Sequence, residues 1–91
     1  MSDVKDNEAG RRFELHIEGQ VVFATYRLEG DRLYINHVEA PEALRGTGAA
    51  GKLMEGIVGI VRERHYKVIP VCSYAHSWFR RHAENQDLLA V

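Results

Sequence analysis

The sequence predicts an α+β domain with a mixed sheet and the element order β-β-β-α-β-α. Three patterns support this fold class. Short segments near the N-terminus alternate apolar and polar residues, which is typical of half-buried strands, and glycine turns at Gly19 and Gly30 separate them. Farther along, apolar residues recur at the spacing of one helix face. A short β-branched segment follows this helix and completes a βαβ unit.

The N-terminal part of the chain predicts three antiparallel strands. Residues 1–11 are polar and are expected to form a flexible tail, which leaves residues 12–91 as a single domain. The first strand begins at Phe13, and the second and third strands cover residues 21–28 and 32–39. Because short glycine turns join these strands, we expect a meander.

The rest of the chain predicts a helix, a fourth strand and a last helix. The first helix covers residues 48–65, and its apolar face consists of Ala50, Leu53, Met54, Ile57, Val58 and Val61. The segment KVIPVC is the fourth strand, which is expected to lie parallel to the third because a helix connects them. The last helix begins near Tyr74. Its predicted buried positions are Ala75, Trp78, Phe79 and His82.

Composition and charge indicate an ordinary soluble domain. Apolar residues make up 45% and charged residues 27% of the chain, and the net charge of −1 gives no electrostatic reason to expect a nucleic-acid or membrane partner. The single cysteine excludes an internal disulfide. No apolar run approaches the roughly 20 residues that a membrane span needs, and no apolar signal segment is present, so a cytoplasmic location is expected.

The glycine-rich segment RGTGAAGKL, residues 45–53, matches three phosphate-binding patterns. A nucleoside-triphosphate P-loop requires Ser or Thr after Lys52, but Leu53 stands there. A dinucleotide fingerprint follows its strand directly and requires an acidic residue about 20 positions later, where this chain has Val71. Neither of these two patterns therefore fits its context.

The third pattern is R-x-x-G-x-A, formed by Arg45, Gly48 and Ala50 at the start of the long helix. It resembles the acetyl-CoA loop of the GNAT superfamily of acetyltransferases, in which a strand leads into [QR]-x-x-G-x-[GA] and a helix. The unpaired N–H groups of a helix N-terminus attract a pyrophosphate, and an arginine adds a charged contact. A glycine-rich helix start that binds nothing is the alternative. The resemblance implies that acetyl-CoA binds at Arg45, Gly46, Thr47, Gly48, Ala49 and Ala50.

The segment CSYAHSWFRRHAENQDLL is similar to the C-terminal segment of a subfamily of very short GNAT-like proteins. The resemblance covers residues 13–89 and implies a minimal GNAT-like fold, with the acetyl-CoA cleft between the third and fourth strands. Longer members have additional helices and strands that wall the acceptor site. Because this chain lacks them, its acceptor site is expected to be open or completed by a partner, and an open edge strand makes a homodimer one such arrangement.

Two reactive side chains are predicted where the third and fourth strands end, which is where ligands bind in parallel sheets. His37 is a candidate general base or proton relay. Cys72 is a candidate acyl acceptor or a wall of the thioester pocket. Because Leu33, Ile35 and His37 are expected to share one face, a hydrogen-bonded core histidine is the alternative for His37.

The resemblance adds three positions to the site. Val38 and Ala40 stand where GNAT strands offer backbone N–H and C=O groups to the pantetheine arm. Tyr74, at the start of the last helix, is a candidate acid that protonates the leaving thiolate. Packing of Tyr74 on the sheet is the alternative.

Two other patterns carry less weight. The spacing of Cys72, His76 and His82 matches no common zinc site, so no metal is expected. Arg80 and Arg81 lie in WFRRH, which suits a nucleic-acid contact less well than an amphipathic helix with buried aromatic and solvated basic residues.

These features together predict an acetyltransferase that moves the acetyl group of acetyl-CoA to an amine of a small molecule or a protein. The alternative is a non-catalytic acyl-CoA-binding module that senses or delivers CoA. The missing acceptor walls favour the module, whereas the placement of His37 and Cys72 favours the enzyme.

Overall fold

The strands and helices follow one another along the chain in the predicted order, with one strand added at the N-terminus. The computed structural model describes residues 3–90. Its strands are β1 Lys5–Asn7, β2 Arg12–Ile17, β3 Gln20–Glu29, β4 Arg32–Glu39 and β5 Lys67–Pro70. Its helices are α1 Ala49–Arg64 and α2 Ser73–Arg81, and short 3₁₀ helices cover Glu42–Leu44 and Ala83–Leu88. The sheet order is β1-β2-β3-β4-β5, antiparallel except for the parallel β4–β5 pair, which confirms the α+β class.

The N-terminal segment is not a loose tail, because β1 pairs with β2 at the edge of the sheet. Asp6 anchors this strand: its Oδ1 accepts from Tyr26 Oη at 2.6 Å and its Oδ2 accepts from Arg64 Nη1 at 2.7 Å. The Asp6 side chain is only 8% exposed, so these two contacts compensate a largely buried charge. Burial and this hydrogen bond to Asp6 raise the pKa of Tyr26 well above its usual range. The expectation of a flexible tail is therefore wrong for Lys5–Asn7.

A β-bulge in β4 reverses the faces of the residues that follow it. Tyr26 pairs with Ile35 but Thr25 pairs with His37, so Asn36 is an extra residue on β4. Ile35 is buried in the core, whereas His37 lies on the opposite face and Val38 packs against the core. The expectation that His37 shares a face with Ile35 is wrong for this reason.

Both helices bury their apolar faces in one core cluster on one side of the sheet. The largest fully buried side chains are Phe13, Val22, Leu33, Ile35, Leu53, Met54, Ile57, Val61, Val68, Trp78 and Phe79. His82 is half-buried rather than a core residue: its ring stacks on Trp78 at 4.0 Å, and its Nδ1 lies 2.7 Å from Trp78 O. Within residues 3–90, no helix has the length and apolar character that a membrane crossing requires.

Gly59 lies inside α1, where neither space nor backbone conformation requires a glycine. An added Cβ would meet no atom within 4 Å there, and the backbone of Gly59 is not in the left-handed region. Gly59→Ala is expected to raise the free energy of unfolding by roughly 0.5–1 kcal/mol, because alanine loses less backbone entropy in a helix. Urea denaturation measures this change.

Gly19 provides the matched control for that substitution. It also has open space around a built Cβ, but its φ is +78°. Gly19→Ala is expected to lower the free energy of unfolding by about 1 kcal/mol, because L residues are strained in this conformation. Equal effects of the two substitutions would show that backbone conformation does not decide their sign.

Candidate functional site

The β4–β5 pair opens into a cleft halfway along β4. Residues Arg32 to Ile35 pair with Lys67 to Pro70, and the chain then leaves the sheet toward α2. At this point Ile35 O accepts from the Val71 and Cys72 amides at 3.0 and 3.2 Å. We call the space beside residues 36–40 the cleft. It lies between the third and fourth strands of the predicted order, where the sequence places a ligand.

The backbone of β4 faces this cleft at alternate residues. Ile35 O points away from β3, because it accepts from the chain that follows β5. His37 is paired with Thr25 in β3 beyond the bulge, so Val38 directs its N–H and C=O groups toward the cleft. Ala40 follows in the same direction, and its carbonyl accepts from Arg45 Nε at 3.4 Å. The pairing thus leaves the backbone groups of Val38 on the open side, while the Ala40 carbonyl accepts from Arg45.

The glycine-rich loop reaches the start of α1 through two left-handed glycines. The φ angles of Gly46 and Gly48 are +81° and +83°, and nothing lies within 4 Å of a Cβ built on either. Lys52 N is the first α1 amide that bonds to the preceding turn, through Gly48 O at 3.1 Å. The amides of Ala49, Ala50 and Gly51 precede it and have no acceptor within the helix. They form the donor-rich, partially positive end of a 16-residue helix.

A cavity of about 260 Å³ joins this loop to the cleft and to α2. It is lined by Ala40, Leu44, Arg45, Gly46, Gly48, Ala49, Ala50, Gly51 and Tyr74. Most of the predicted loop therefore surrounds one space. Leu44 and Gly51 also line it, although the motif did not mark them. The only sequence signal for Leu44 is that it is an apolar residue directly before Arg45.

Thr47 is the loop residue that does not line this cavity. Its Oγ1 donates to Leu44 O at 2.5 Å, and its amide donates to the same carbonyl at 3.2 Å. The side chain therefore stabilises the turn from within. Thr47 was predicted to bind the ligand with the rest of the loop, but its side chain contacts the Leu44 carbonyl instead of lining the cavity.

Tyr74 faces the loop from the first turn of α2. Burial is the largest influence on the pKa of its hydroxyl and raises this pKa. The Arg81 guanidinium lowers the pKa of the hydroxyl, and Cys72 raises it further. A tyrosine with a raised pKa stays protonated at neutral pH. The hydroxyl therefore remains protonated beside the cavity.

His37 lies on the outer face of the sheet and is not a core histidine. Its side chain is 56% exposed, and its Nε2 lies 3.1 Å from Glu39 Oε1. Its ring meets the Phe23 ring edge-on at 6.5 Å between centroids. The bulge explains this position, since it turns the residue after Asn36 away from α1.

Cys72 caps the N-terminus of α2. Its Sγ accepts from the Ala75 amide at 3.3 Å, and the residue is half-buried against the core. Cys72 lies level with Ile35, whereas His37 is two residues farther along β4 and on the other face. Within residues 3–90, His37 bonds to Glu39 and Cys72 to Ala75, so the structure does not join His37 and Cys72 as a pair.

The aromatic residues of α2 have a structural role. Trp78 and Phe79 are 2% and 1% exposed, so no base can stack on them. The Trp78 Nε1 atom lies 4.0 Å from a Cβ built on Gly51, which places α2 against the first turn of α1. In the part of the chain that the structure describes, no group of three or more His, Cys, Asp or Glu residues is arranged to hold a metal ion.

Comparison with known proteins identifies a matching family and a similar fold. Residues 12–88 match the family model described as GCN5-related N-acetyl-transferase. The chain is similar to a GCN5-like candidate N-acetyltransferase from Staphylococcus aureus, whose structure was determined in solution by NMR. The two chains share 26% sequence identity with a TM-score of 0.74, and the match covers 99% of this chain and 91% of that one. No curated protein matches the sequence significantly.

Proposed function

The chain belongs to the GCN5-related N-acetyltransferase family, and from that premise we propose that it transfers the acetyl group of acetyl-CoA to an amine. The observation that carries this proposal is the cavity shared by the loop, the open side of β4 and Tyr74. The helix-start amides, the Ala40 backbone and the Tyr74 hydroxyl stand next to one another there. Acetyl-CoA needs such groups, because it combines a pyrophosphate, an amide-containing arm and a thioester.

The loop is the proposed pyrophosphate site. The amides at the start of α1 lack acceptors within the helix, and the helix dipole favours an anion at this end. Gly46 and Gly48 hold the left-handed turns that lead into these amides. Arg45 contacts no carboxylate among residues 3–90, so its guanidinium is available for a phosphate oxygen.

The pantetheine arm is proposed to lie along the open side of β4. Val38 and Ala40 direct backbone groups to this side, and an amide of the arm pairs with such groups as an added strand does. The thioester then lies near the end of β5, where the Cys72 amide donates to Ile35 O. A backbone N–H next to the thioester carbonyl stabilises the oxyanion that forms during attack.

The chemical step needs one base and one acid. The amine nitrogen attacks the thioester carbon, the C–S bond breaks, the amine loses a proton and the CoA thiolate gains one. Tyr74 is the proposed acid, because burial keeps its hydroxyl protonated. His37 is the proposed base or relay for an amine that approaches from the outer face, with Glu39 orienting its ring.

Tyr74→Phe tests the acid. The substitution keeps the ring and removes the hydroxyl, so kcat is expected to fall roughly 100-fold with the KM for acetyl-CoA changed less than about twofold. CoA release in the presence of an amine, followed by chromatography, measures both. Tyr66→Phe, at a separate cavity beside Arg64, is the matched control. An unchanged kcat in Tyr74→Phe would remove the acid role.

Cys72→Ser separates the two roles of the cysteine. A serine oxygen still accepts from the Ala75 amide, so the N-cap is kept while the thiolate is lost. If Cys72 is a wall of the cleft, kcat is expected to stay within about threefold of the unmodified protein, since no covalent step is removed. A loss of roughly 100-fold or more at unchanged stability would instead support an acyl-cysteine intermediate.

A non-catalytic acyl-CoA-binding module is the second candidate. The outer face of the sheet around His37 is exposed, so no part of residues 3–90 walls an acceptor there. Binding of acetyl-CoA without amine-dependent release of CoA, across a panel of primary amines and lysine peptides, would favour the module. Release that saturates with one amine class would support the enzyme.

A further inference from the structure

Within residues 3–90, two arginines at the end of α2 lack the ion pairs that the two arginines at the end of α1 form. Arg62 and Arg64 form ion pairs with Asp87 and Asp6. Within residues 3–90, neither Arg80 nor Arg81 makes a hydrogen bond or an ion pair. Both are exposed, and with Ser77 they line a cavity of about 270 Å³ that we call the α2 groove.

The α2 groove lies farther along α2 than the loop cavity, which Tyr74 lines. Tyr74, Ser77 and Arg81 are spaced i, i+3 and i+7, so they share one face of α2. Tyr74 lines the loop cavity, and the charge of Arg81 acts on its hydroxyl. Arg81 is about 10 Å of helix rise beyond Tyr74, and long helical side chains lean toward the N-terminus. We therefore expect the Arg81 side chain to extend over Ser77 toward the loop.

Contact between the two helices fixes the groove beside the loop. Trp78 lies next to these residues on α2, and its Nε1 is 4.0 Å from a Cβ built on Gly51 in the first turn of α1. A ligand whose pyrophosphate rests on the loop therefore has the α2 groove next to it. The groove offers two guanidinium groups and a hydroxyl, which together suit a phosphate dianion.

We propose that Arg81, with Arg80 and Ser77, binds the 3′-phosphate of the CoA nucleotide and makes the site selective for CoA over 3′-dephospho-CoA. This inference rests on the proposed function, since it assumes that the loop holds the pyrophosphate. Arg81 supplies the main contact because it shares the face of Tyr74. Arg80 adds charge from the neighbouring position on the helix.

Calorimetric titration with CoA and with 3′-dephospho-CoA tests the proposal. The unmodified protein is expected to bind CoA roughly tenfold more tightly, as one charge-assisted contact predicts. Arg81→Ala is expected to weaken CoA binding roughly tenfold and to leave the Kd for 3′-dephospho-CoA within about twofold. Arg81→Lys, which keeps the charge and loses the planar fork, is expected to fall between the two.

Arg32→Ala is the matched control, because Arg32 is an exposed arginine at the opposite end of β4. It is expected to change neither Kd. Equal affinity of the unmodified protein for both ligands, or equal weakening of both by Arg81→Ala, would overturn the 3′-phosphate assignment while leaving the loop intact. Absence of binding by either ligand at millimolar concentration would overturn the acetyl-CoA site together with this inference.

Discussion

Gly48→Glu is expected to raise the Kd for acetyl-CoA by roughly 100-fold, equal to about 2.7 kcal/mol of binding free energy. Two effects act in the same direction. The φ of Gly48 is +83°, so a residue with a Cβ shifts the turn that aims the α1 amides. The new carboxylate also stands at the proposed anion site, where it would repel a pyrophosphate. Calorimetric titration of the folded variant measures the change.

Gly19→Glu is the matched control for this variant. Gly19 has a φ of +78° and open space around it, so the substitution brings the same strain and the same charge. It lies in the β2–β3 turn rather than at the loop. Its Kd for acetyl-CoA is expected to stay within about twofold, since no interaction at the loop changes. Similar weakening by both variants would mean that lost stability, not the loop, governs binding.

Trp78→Ala is expected to lower the free energy of unfolding by roughly 3–5 kcal/mol, which is a large fraction of the stability of a small domain. Trp78 is 2% exposed and joins the core between the two helices. The substitution also removes the stacking partner of His82. Urea denaturation monitored by circular dichroism measures the loss.

Trp78→Phe serves as the comparison, because it keeps an aromatic ring and leaves a smaller cavity. Its cost is expected to be clearly lower than that of alanine, since the cost rises with the cavity volume left behind. A cost below about 1 kcal/mol for Trp78→Ala would contradict the packing described for α2.

The elements with a clear hydrophobic period could be predicted from the sequence. The apolar stripe of α1 and the glycine turns at Gly19 and Gly30 have local causes, and the parallel β4–β5 pair follows from the helix between them. The strand β1 could not be predicted, because its residues are polar and do not alternate. Its anchors, Tyr26 and Arg64, are distant in sequence and meet Asp6 only in the folded chain.

The candidate site was predictable where a motif marks it and not where a bulge changes it. The R-x-x-G-x-A pattern led to most residues of the loop cavity. Tyr74 lies in the first turn of α2 and lines the same cavity. The bulge at Asn36 has no sequence signal such as a glycine, so the face of His37 was predicted wrongly. Leu44 was missed because its role depends on how the chain turns before the loop.

The loop between β4 and α1 is the proposed site for the pyrophosphate of acetyl-CoA. The most direct test is a titration of ¹⁵N-labelled protein with acetyl-CoA, followed through its amide NMR signals. Saturable shifts that are largest at Gly46, Gly48 and Ala49 are expected, because those amides approach the phosphate oxygens. Saturable shifts centred on the cavity of Asp6 and Tyr66, or no shifts at millimolar ligand, would contradict the account.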